Sequence, residues 1–316
     1  MNEHESRVKA AIASAEAEAG SDNREFLRAL NRHFSSPRSS EARLRAAIPI
    51  HDANKQLRDY HIYEDPRYLA NARALARRNT VGLRVIGGAL TPANDFLDCV
   101  AVGSDSQWGC TGTLIAANVV VTAGHCVDYA TRIFIGADVT QPGKIVRVKR
   151  KVRNPQYHKS KHNDLMVLVL EQKVEGVKPR KIAAKSLTDA ATDGRVVGFG
   201  ATDPTGHFGY GKKRFVDVPV ASNACKGKVA GKDDKTTYGC DPGYELVAGR
   251  PMLEQDSCNG DSGGPFYLAK NGDWVVAGAT SRATDGAMHG CGDGGVYVRL
   301  DKYRAWIDAI PGVTLP

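Results

Sequence analysis

Apolar residues recur at helical spacing in the first part of the chain and in short strand-like runs after it. Residues 6–19 are rich in Ala and Glu and end before Gly20, which is typical of a helix and its stop. Residues 23–34 place four apolar side chains on one stripe, and residues 66–79 begin at a proline and end in a basic cluster. The pattern therefore predicts three helices, with a polar loop at residues 35–40.

After residue 84 the chain changes to short runs rich in Val and Ile, separated by Gly, Pro, Asn and Asp. The clearest runs are TLIAANVVVTAG, RIFIGAD, KIVRVKRKV, DLMVLVL, RVVGFG, DWVVAGATS and GGVYVRL. Many short strands between turns predict an all-β sandwich or barrel. Near the end, residues 301–310 predict one short helix with Tyr303, Trp306 and Ile310 on one face.

Length and composition exclude several classes of protein. A length of 316 residues predicts about two domains. The composition, with 42% hydrophobic and 25% charged residues, is typical of a globular protein and excludes a chain that is disordered throughout. No apolar run approaches the roughly 20 residues of a membrane helix, so no membrane association is expected. The net charge of +8 is spread along the chain without a nucleic-acid motif, which favours a basic soluble protein over a nucleic-acid binder.

Cysteine usage indicates an oxidising compartment. Six of the seven cysteines could form three bridges in 15 possible ways, and no Cys-x-x-Cys pair suggests zinc. The cysteines are Cys99, Cys110, Cys126, Cys225, Cys240, Cys258 and Cys291. Bridges favour a secreted or periplasmic protein. The start, MNEHESRVKA, lacks the apolar core of a signal peptide, so a cytoplasmic location is the alternative.

Three segments carry residues suited to nucleophilic catalysis. They are TAGHC with His125, NDLMVLVL with Asp164, and GDSGGP with Ser262. A serine hydroxyl needs a neighbouring base to act as a nucleophile near neutral pH, and imidazole has a suitable pKa. A buried carboxylate fixes the imidazole tautomer and stabilises its charged form. Each residue alone is commonly structural, but the set of three meets this chemical requirement.

The blocks TAGHC, NDLMVLVL and DSCNGDSGGP resemble the signature blocks of the chymotrypsin–trypsin family of serine proteases, over residues 85–310. The resemblance implies two six-stranded antiparallel β-barrels with a C-terminal helix and the site between the barrels. It divides the chain into a helical propeptide, residues 1–84, and a protease domain, residues 85–316. His125 and Asp164 would come from the first barrel and Ser262 from the second.

By the same resemblance Ser262 is the nucleophile, His125 the general base and then acid, and Asp164 the residue that orients His125. The amides of Gly260 and Ser262 would form the oxyanion hole. Asp256, six residues before Ser262, would lie at the base of the primary pocket. A carboxylate there would pair with an Arg or Lys side chain of the substrate.

The resemblance also assigns the walls of the pocket. Ser257, Gly295 and Ala283 would line it together with Asp256. The family usually has Ser-Trp-Gly where this chain has Ser-Arg-Ala, so Arg282 replaces an aromatic residue and Ala283 adds a methyl group at the pocket mouth. These two departures affect the expected subsite preferences and leave the three catalytic residues unchanged.

The family pattern further implies three disulfides and an activation switch. The bridges would be Cys110–Cys126, Cys225–Cys240 and Cys258–Cys291, with Cys99 a buried free thiol in the first strand. The segment RVIGG resembles an activation junction. Cleavage between Arg84 and Val85 would free an amino group that pairs with Asp261 and orders the site. The propeptide is then expected to fold on the protease domain and to restrain activity or assist folding.

The function expected from these features is a monomeric serine endopeptidase that acts on protein or peptide substrates after Arg or Lys. Its partners would include an activating protease, unless it cleaves itself, but no nucleic acid and no membrane. No cofactor is needed for this chemistry, and no metal site such as an acidic calcium loop is evident. The alternative is a catalytically silent protease homologue that acts as a binding module.

Overall fold

A computed structural model describes residues 66–78, 88–157, 161–202, 209–229, 231–249, 256–287 and 291–316. The predicted helices at 6–19 and 23–34, the loop at 35–40 and the junction Arg84–Val85 lie outside these residues. The third predicted helix is present as α1 (Pro66–Arg78). None of the described helices has the length and apolar character needed to cross a membrane.

Helix α1 packs on the second half of the β structure through its first two turns. Tyr68 is 1% exposed and lies in a cluster with Val247 and the Cys225–Cys240 disulfide. The Asn71 side-chain amide donates to the Val220 carbonyl at 2.7 Å. Arg67 contacts the fully buried Asp234 at 3.2 Å, although the arginine side chain is 42% exposed. An aromatic anchor and polar contacts from Asn71 and Arg67 therefore hold the helix in place.

The first barrel follows a short strand, β1 (Ala89–Leu90), that joins the second barrel. Its six strands are β2 (Cys99–Gly103), β3 (Trp108–Ala116), β4 (Val119–Thr122), β5 (Arg132–Ile135), β6 (Lys144–Arg153) and β7 (Met166–Leu170). They close in the order β2-β3-β4-β7-β6-β5, and every pairing is antiparallel. Closure leaves no free strand edge in this barrel.

The second barrel begins after helix α2 (Lys185–Asp189). Its strands are β8 (Asp193–Gly198), β9 (Arg214–Ser222), β12 (Glu245–Ala248), β13 (Pro265–Lys270), β14 (Asp273–Ala283) and β15 (Gly295–Arg299). They close in the order β8-β9-β12-β15-β14-β13. Between β9 and β12 lie the hairpin β10 (Lys228–Val229) and β11 (Lys232–Asp233) and helix α3 (Asp234–Tyr238). The prediction of two six-stranded antiparallel barrels is confirmed.

The barrels share part of their core. One cluster of buried residues includes Ala101 and Leu165 from the first half and Val197 and Tyr267 from the second. The Tyr267 hydroxyl also donates to the buried Asp98 carboxylate at 2.6 Å. Because close-packed cores resist deformation, this shared core holds the two halves of the site in a defined arrangement.

The C-terminal helix is shorter than predicted. A 3₁₀ turn, Leu300–Lys302, is followed by helix α4 (Arg304–Asp308). Tyr303, Ile307 and Ile310 are buried, and Trp306 is only partly buried. Spacings of four and three residues place the buried three on one helical face, so Trp306 lies at its border.

Candidate active site

His125 and Asp164 are joined by two hydrogen bonds in the first barrel. Strand β4 leads into a 3₁₀ turn, Gly124–Asp128, that carries His125. The His125 Nδ1 atom lies 2.8 Å from Asp164 Oδ2, and the His125 backbone amide donates to Asp164 Oδ1 at 2.9 Å. The aspartate side chain is 5% exposed and the imidazole 34%. A buried carboxylate thus orients a partly exposed imidazole ring.

The second barrel completes the environment of Asp164. The Ser281 hydroxyl on β14 donates to Asp164 Oδ2 at 2.7 Å. A Cβ atom at position 124 would lie 3.2 Å from Asp164 Oδ1. Because Gly124 has no side chain, the His125 turn can lie close to Asp164. Asn163 has φ 56° and accepts a hydrogen bond from the Tyr303 hydroxyl at 2.7 Å, which supports the turn before Asp164.

Ser262 lies in a glycine-rich loop that approaches the His125 turn. A side chain on Gly263, which has φ +79°, would lie 2.4 Å from the Ala123 amide and 2.1 Å from Thr122 Oγ1. Only glycine permits both this conformation and this approach. The Cys126 Sγ atom is 3.9 Å from the Ser262 carbonyl oxygen. Among the described residues, no hydrogen bond joins the Ser262 hydroxyl to the His125 ring.

The Ser262 loop leaves two backbone amides unpaired within the part of the chain that the structure describes. The Asp261 amide donates to the Cys258 carbonyl at 3.0 Å, and the Gly263 amide donates to the Thr280 carbonyl at 2.7 Å. The amides of Gly260 and Ser262 donate to no described group. Unpaired, preorganised amides are what binding of an oxyanion requires.

Thr111 on β3 is a contact of this loop that sequence reasoning missed. Its amide donates to the Ser262 carbonyl at 2.9 Å, and its hydroxyl donates to the Gly260 carbonyl at 2.8 Å. The residue is fully buried. Its position directly after Cys110, beside the disulfide of the His125 turn, is the only sequence signal that could have drawn attention to it.

The residues predicted to line the primary pocket are close together. Asp256 accepts hydrogen bonds from the Tyr297 hydroxyl at 2.7 Å and the Ser257 hydroxyl at 3.3 Å. A side chain on Gly295 would lie 3.0 Å from Asp256 Oδ1, and Ala283 pairs with Gly295 across the sheet. Desolvation raises the pKa of Asp256 to about 7, although the hydrogen bonds from Tyr297 and Ser257 oppose the shift.

Asp261 borders a small cavity of about 30 Å³, which Asp256 also lines. Its carboxylate accepts from the Gly200 and Cys258 amides, each at 2.8 Å, and the residue is 8% exposed. Desolvation raises its pKa to about 6, while the two amide hydrogen bonds act in the opposite direction. Arg214 and Phe215 of β9 also line this cavity.

Arg282 points to a buried partner. Its guanidinium binds both carboxylate oxygens of Glu245, at 2.8 and 2.7 Å, and also donates to the Gly239 carbonyl at 2.8 Å. Burial alone would raise the pKa of Glu245, but the nearby His162 ring and the hydrogen bonds from Arg282 leave it below its ordinary value. The side chains are 14% and 1% exposed, so this is a buried ion pair in place of an aromatic residue.

The cysteines pair as the family pattern implies. The bridges are Cys110–Cys126, Cys225–Cys240 and Cys258–Cys291. Cys99 is a buried free thiol at the start of β2, the first strand of the first barrel. Among the described residues, Cys110, His125 and Cys126 have ligand-type atoms within 4.8 Å of one another. Because the two sulfurs are bonded to each other, they cannot act as thiolate ligands.

The family assignment follows from comparison with known proteins. The model of the family named Trypsin matches residues 85–307, most of the chain. The chain belongs to the trypsin family of serine proteases. This protease is 29% identical to snake venom serine protease 1 of Craspedocephalus gramineus over 72% of its own length and 86% of the venom protein.

Two further relatives have similar identity. Kallikrein-14 of Homo sapiens is 29% identical over 71% of this chain and 83% of the kallikrein. Trypsin of Phaedon cochleariae is 29% identical over 72% of this chain and 88% of that trypsin. The protease therefore spans most of the length of each of these relatives, and protein substrates are expected from its family.

Proposed function

We propose that this protease is an active endopeptidase that cleaves peptide bonds after Arg or Lys through an acyl-enzyme. The observation that carries the proposal is the His125–Asp164 pair at 2.8 Å beside a loop that presents Ser262 and two unpaired amides. All three catalytic residue types are present, which favours catalysis over the alternative of a silent binding module.

The proposed reaction begins with attack of the Ser262 hydroxyl on the carbonyl carbon of the scissile bond. His125 Nε2 accepts the hydroxyl proton, and Asp164 stabilises the resulting imidazolium through Nδ1. The amides of Gly260 and Ser262 bind the oxyanion of the tetrahedral intermediate. His125 then protonates the leaving amine as the C–N bond breaks, and water hydrolyses the acyl-enzyme by the same steps.

The preference for basic substrates is proposed from the pocket around Asp256. Glycine at position 295 keeps a side chain from crowding the carboxylate, and Ser257 and Tyr297 hold the carboxylate by hydrogen bonds. A guanidinium or ammonium group would supply the counter-charge that this desolvated carboxylate lacks. An apolar substrate side chain would leave the carboxylate uncompensated, which disfavours binding.

We further propose that the protease is made as a zymogen and is activated by cleavage between Arg84 and Val85. The new α-amino group of Val85 has an ordinary pKa near 8 and is therefore largely cationic at neutral pH. The buried Asp261 beside a cavity of about 30 Å³ supports this role, because a space of that size suits a group as small as an ammonium. Pairing would stabilise the ionised form of Asp261 and hold the Ser262 loop.

Residues 1–84 would act as the propeptide in this scheme. The docking of α1 on the second barrel supports a propeptide that folds against the protease domain. We propose an oxidising compartment, secreted or periplasmic, because the structure pairs six cysteines. Similarity to a protein named as a venom protease agrees with secretion. Thiol mapping of protein from its native host would test the compartment.

One assay tests the proposed activity. The chain is cleaved after Arg84, and its hydrolysis of Arg, Lys and Phe ester and amide substrates is measured beside a Ser262→Ala variant. Hydrolysis of the Arg and Lys substrates alone, lost in the variant, supports the proposal. A cleaved and folded protein that hydrolyses none of them would instead indicate a silent homologue.

A further inference from the structure

We propose that the hydroxyl of Thr111 is a positioning group for the oxyanion hole. The inference rests on the proposed function, since it concerns how the Ser262 loop keeps its two unpaired amides aimed at a substrate oxygen. Thr111 Oγ1 donates to the Gly260 carbonyl at 2.8 Å and accepts from the Phe199 amide at 3.3 Å. The hydroxyl thus links the loop to the chain that follows β8.

The carbonyls of the loop are all held by hydrogen bonds. The Asn259 carbonyl accepts from the Ala201 amide at 2.8 Å, and the Asp261 carbonyl accepts from the Gly264 amide at 2.7 Å. The Gly260 and Ser262 carbonyls are both held by Thr111, one through its hydroxyl and the other through its amide. The Thr111 hydroxyl is the side-chain donor in this set, and substitution can therefore remove it selectively.

The hydroxyl acts at a glycine of the loop. Gly260 has φ +95°, a conformation open to glycine, and a glycine can rotate out of it at little steric cost. Because a peptide group is planar, rotation about Gly260 would turn its carbonyl together with the Asp261 amide, in the peptide unit that lies between those carrying the Gly260 and Ser262 amides. A hydrogen bond to that carbonyl opposes the rotation and so helps to fix how these two amides are oriented relative to each other.

Loss of the hydroxyl should therefore affect the transition state more than substrate binding. The oxyanion exists only after attack, so a misaligned amide lowers kcat while KM changes little. Removing one oxyanion donor outright typically lowers kcat by about 10²–10³, and loosening a donor should have a smaller effect. We expect Thr111→Val to lower kcat about tenfold, since valine keeps the shape and the β-branch but lacks the hydroxyl.

The experiment compares variants in the full chain after cleavage at Arg84. Thr111→Ser retains the hydroxyl, and Thr111→Ala removes it without adding volume, so this pair isolates the hydroxyl if the valine variant does not fold. Thr113→Val is the matched control. Thr113 lies two residues further along β3, is 1% exposed, and has a buried hydroxyl with no hydrogen-bond partner in the described structure.

The readouts are kcat and KM for an Arg amide substrate, and inhibition by two ligands. An arginine aldehyde forms a tetrahedral adduct with an oxyanion-like oxygen, whereas benzamidine occupies only the Asp256 pocket. We expect Thr111→Val and Thr111→Ala to weaken aldehyde binding about tenfold and benzamidine binding less than about twofold. Thr111→Ser and Thr113→Val should match the parent protein within about twofold.

Two results would overturn the inference. One is a parent-like kcat and aldehyde affinity in both hydroxyl-deleted variants. The other is an equal loss of aldehyde and benzamidine affinity, which would mean that Thr111 supports the whole site and not the oxyanion hole in particular. An inactive parent protein would contradict the proposed function, and it is distinguished from these results because the parent is measured first.

Discussion

Protonation of Asp256 should control the binding of cationic ligands between pH 5 and pH 8. The group sits in a site that raises its pKa to about 7, far above that of an ordinary aspartate. A cationic ligand such as benzamidine binds the ionised carboxylate. Its affinity should therefore rise as pH increases toward about 7 and then level off.

The size of the effect follows from the ionised fraction. With a pKa of about 7, roughly 1% of the free protein carries an ionised Asp256 at pH 5, so affinity should fall about 100-fold between pH 8 and pH 5.

The stability of the folded protein should change with pH in the opposite direction. Because the folded pKa lies above the unfolded value, this group stabilises the fold below about pH 4 and loses that contribution as pH rises through 7.

Calorimetric titration of benzamidine into the cleaved Ser262→Ala protein measures the binding without turnover. Asp256→Asn is the control, since it keeps the shape of the side chain and removes its ionisation. The variant should bind benzamidine weakly and with little pH dependence, and it should unfold at higher denaturant than the parent at pH 8. A parent affinity that is flat from pH 5 to pH 8, or that depends on pH equally steeply in Asp256→Asn, would show that ionisation of Asp256 does not control binding.

Three further predictions concern stability and activation. Arg282→Ala leaves the buried Glu245 carboxylate without its main counter-charge and should lower the free energy of unfolding by about 3–5 kcal/mol in denaturant titrations. Replacing both members, as Glu245→Gln with Arg282→Met, should cost less than the single change. Tyr68→Ala removes the buried anchor of α1, so hydrogen exchange in that helix should accelerate while exchange in the barrel strands stays unchanged. Arg84→Gln should block activation by an Arg-specific protease and leave the chain without amidase activity.

Each of these predictions has a result that contradicts it. A stable Arg282→Ala protein would show that Glu245 is compensated by other groups. For α1, the matched control is Ala70→Ser on the exposed face of the helix, and equal acceleration in both variants would argue against Tyr68 as the anchor. Full activity of uncut Arg84→Gln would remove the case for a zymogen.

The sequence predicts the architecture well because its strands are short apolar runs bounded by turn residues. Runs such as RIFIGAD and KIVRVKRKV coincide with β5 and β6. The strand pattern alone does not distinguish a β-sandwich from a β-barrel, because the two architectures differ in strand pairings between residues far apart in the chain. The resemblance to a known family selected the barrels, and the antiparallel ladders confirm them.

The site could be predicted only in part, because it too depends on contacts between residues far apart in the chain. Motifs mark His125 and Ser262, but Thr111 acts through hydrogen bonds to carbonyls about 150 residues away, and no local pattern records such contacts. Arg282 was recognised as a departure from the family pattern. Its pairing with Glu245 depends on the register of three strands in the second barrel, and the sequence around Arg282 does not specify that register.

Covalent labelling shows whether Ser262 is a nucleophile that His125 activates. An arginine-like phosphonate ester that reacts with activated serine is incubated with the chain cleaved after Arg84, and the adduct is located by peptide mass spectrometry. We expect one adduct, on Ser262, that is lost in His125→Ala and suppressed by benzamidine. Labelling that survives His125→Ala at the parent rate, or an adduct on another residue, would contradict this expectation.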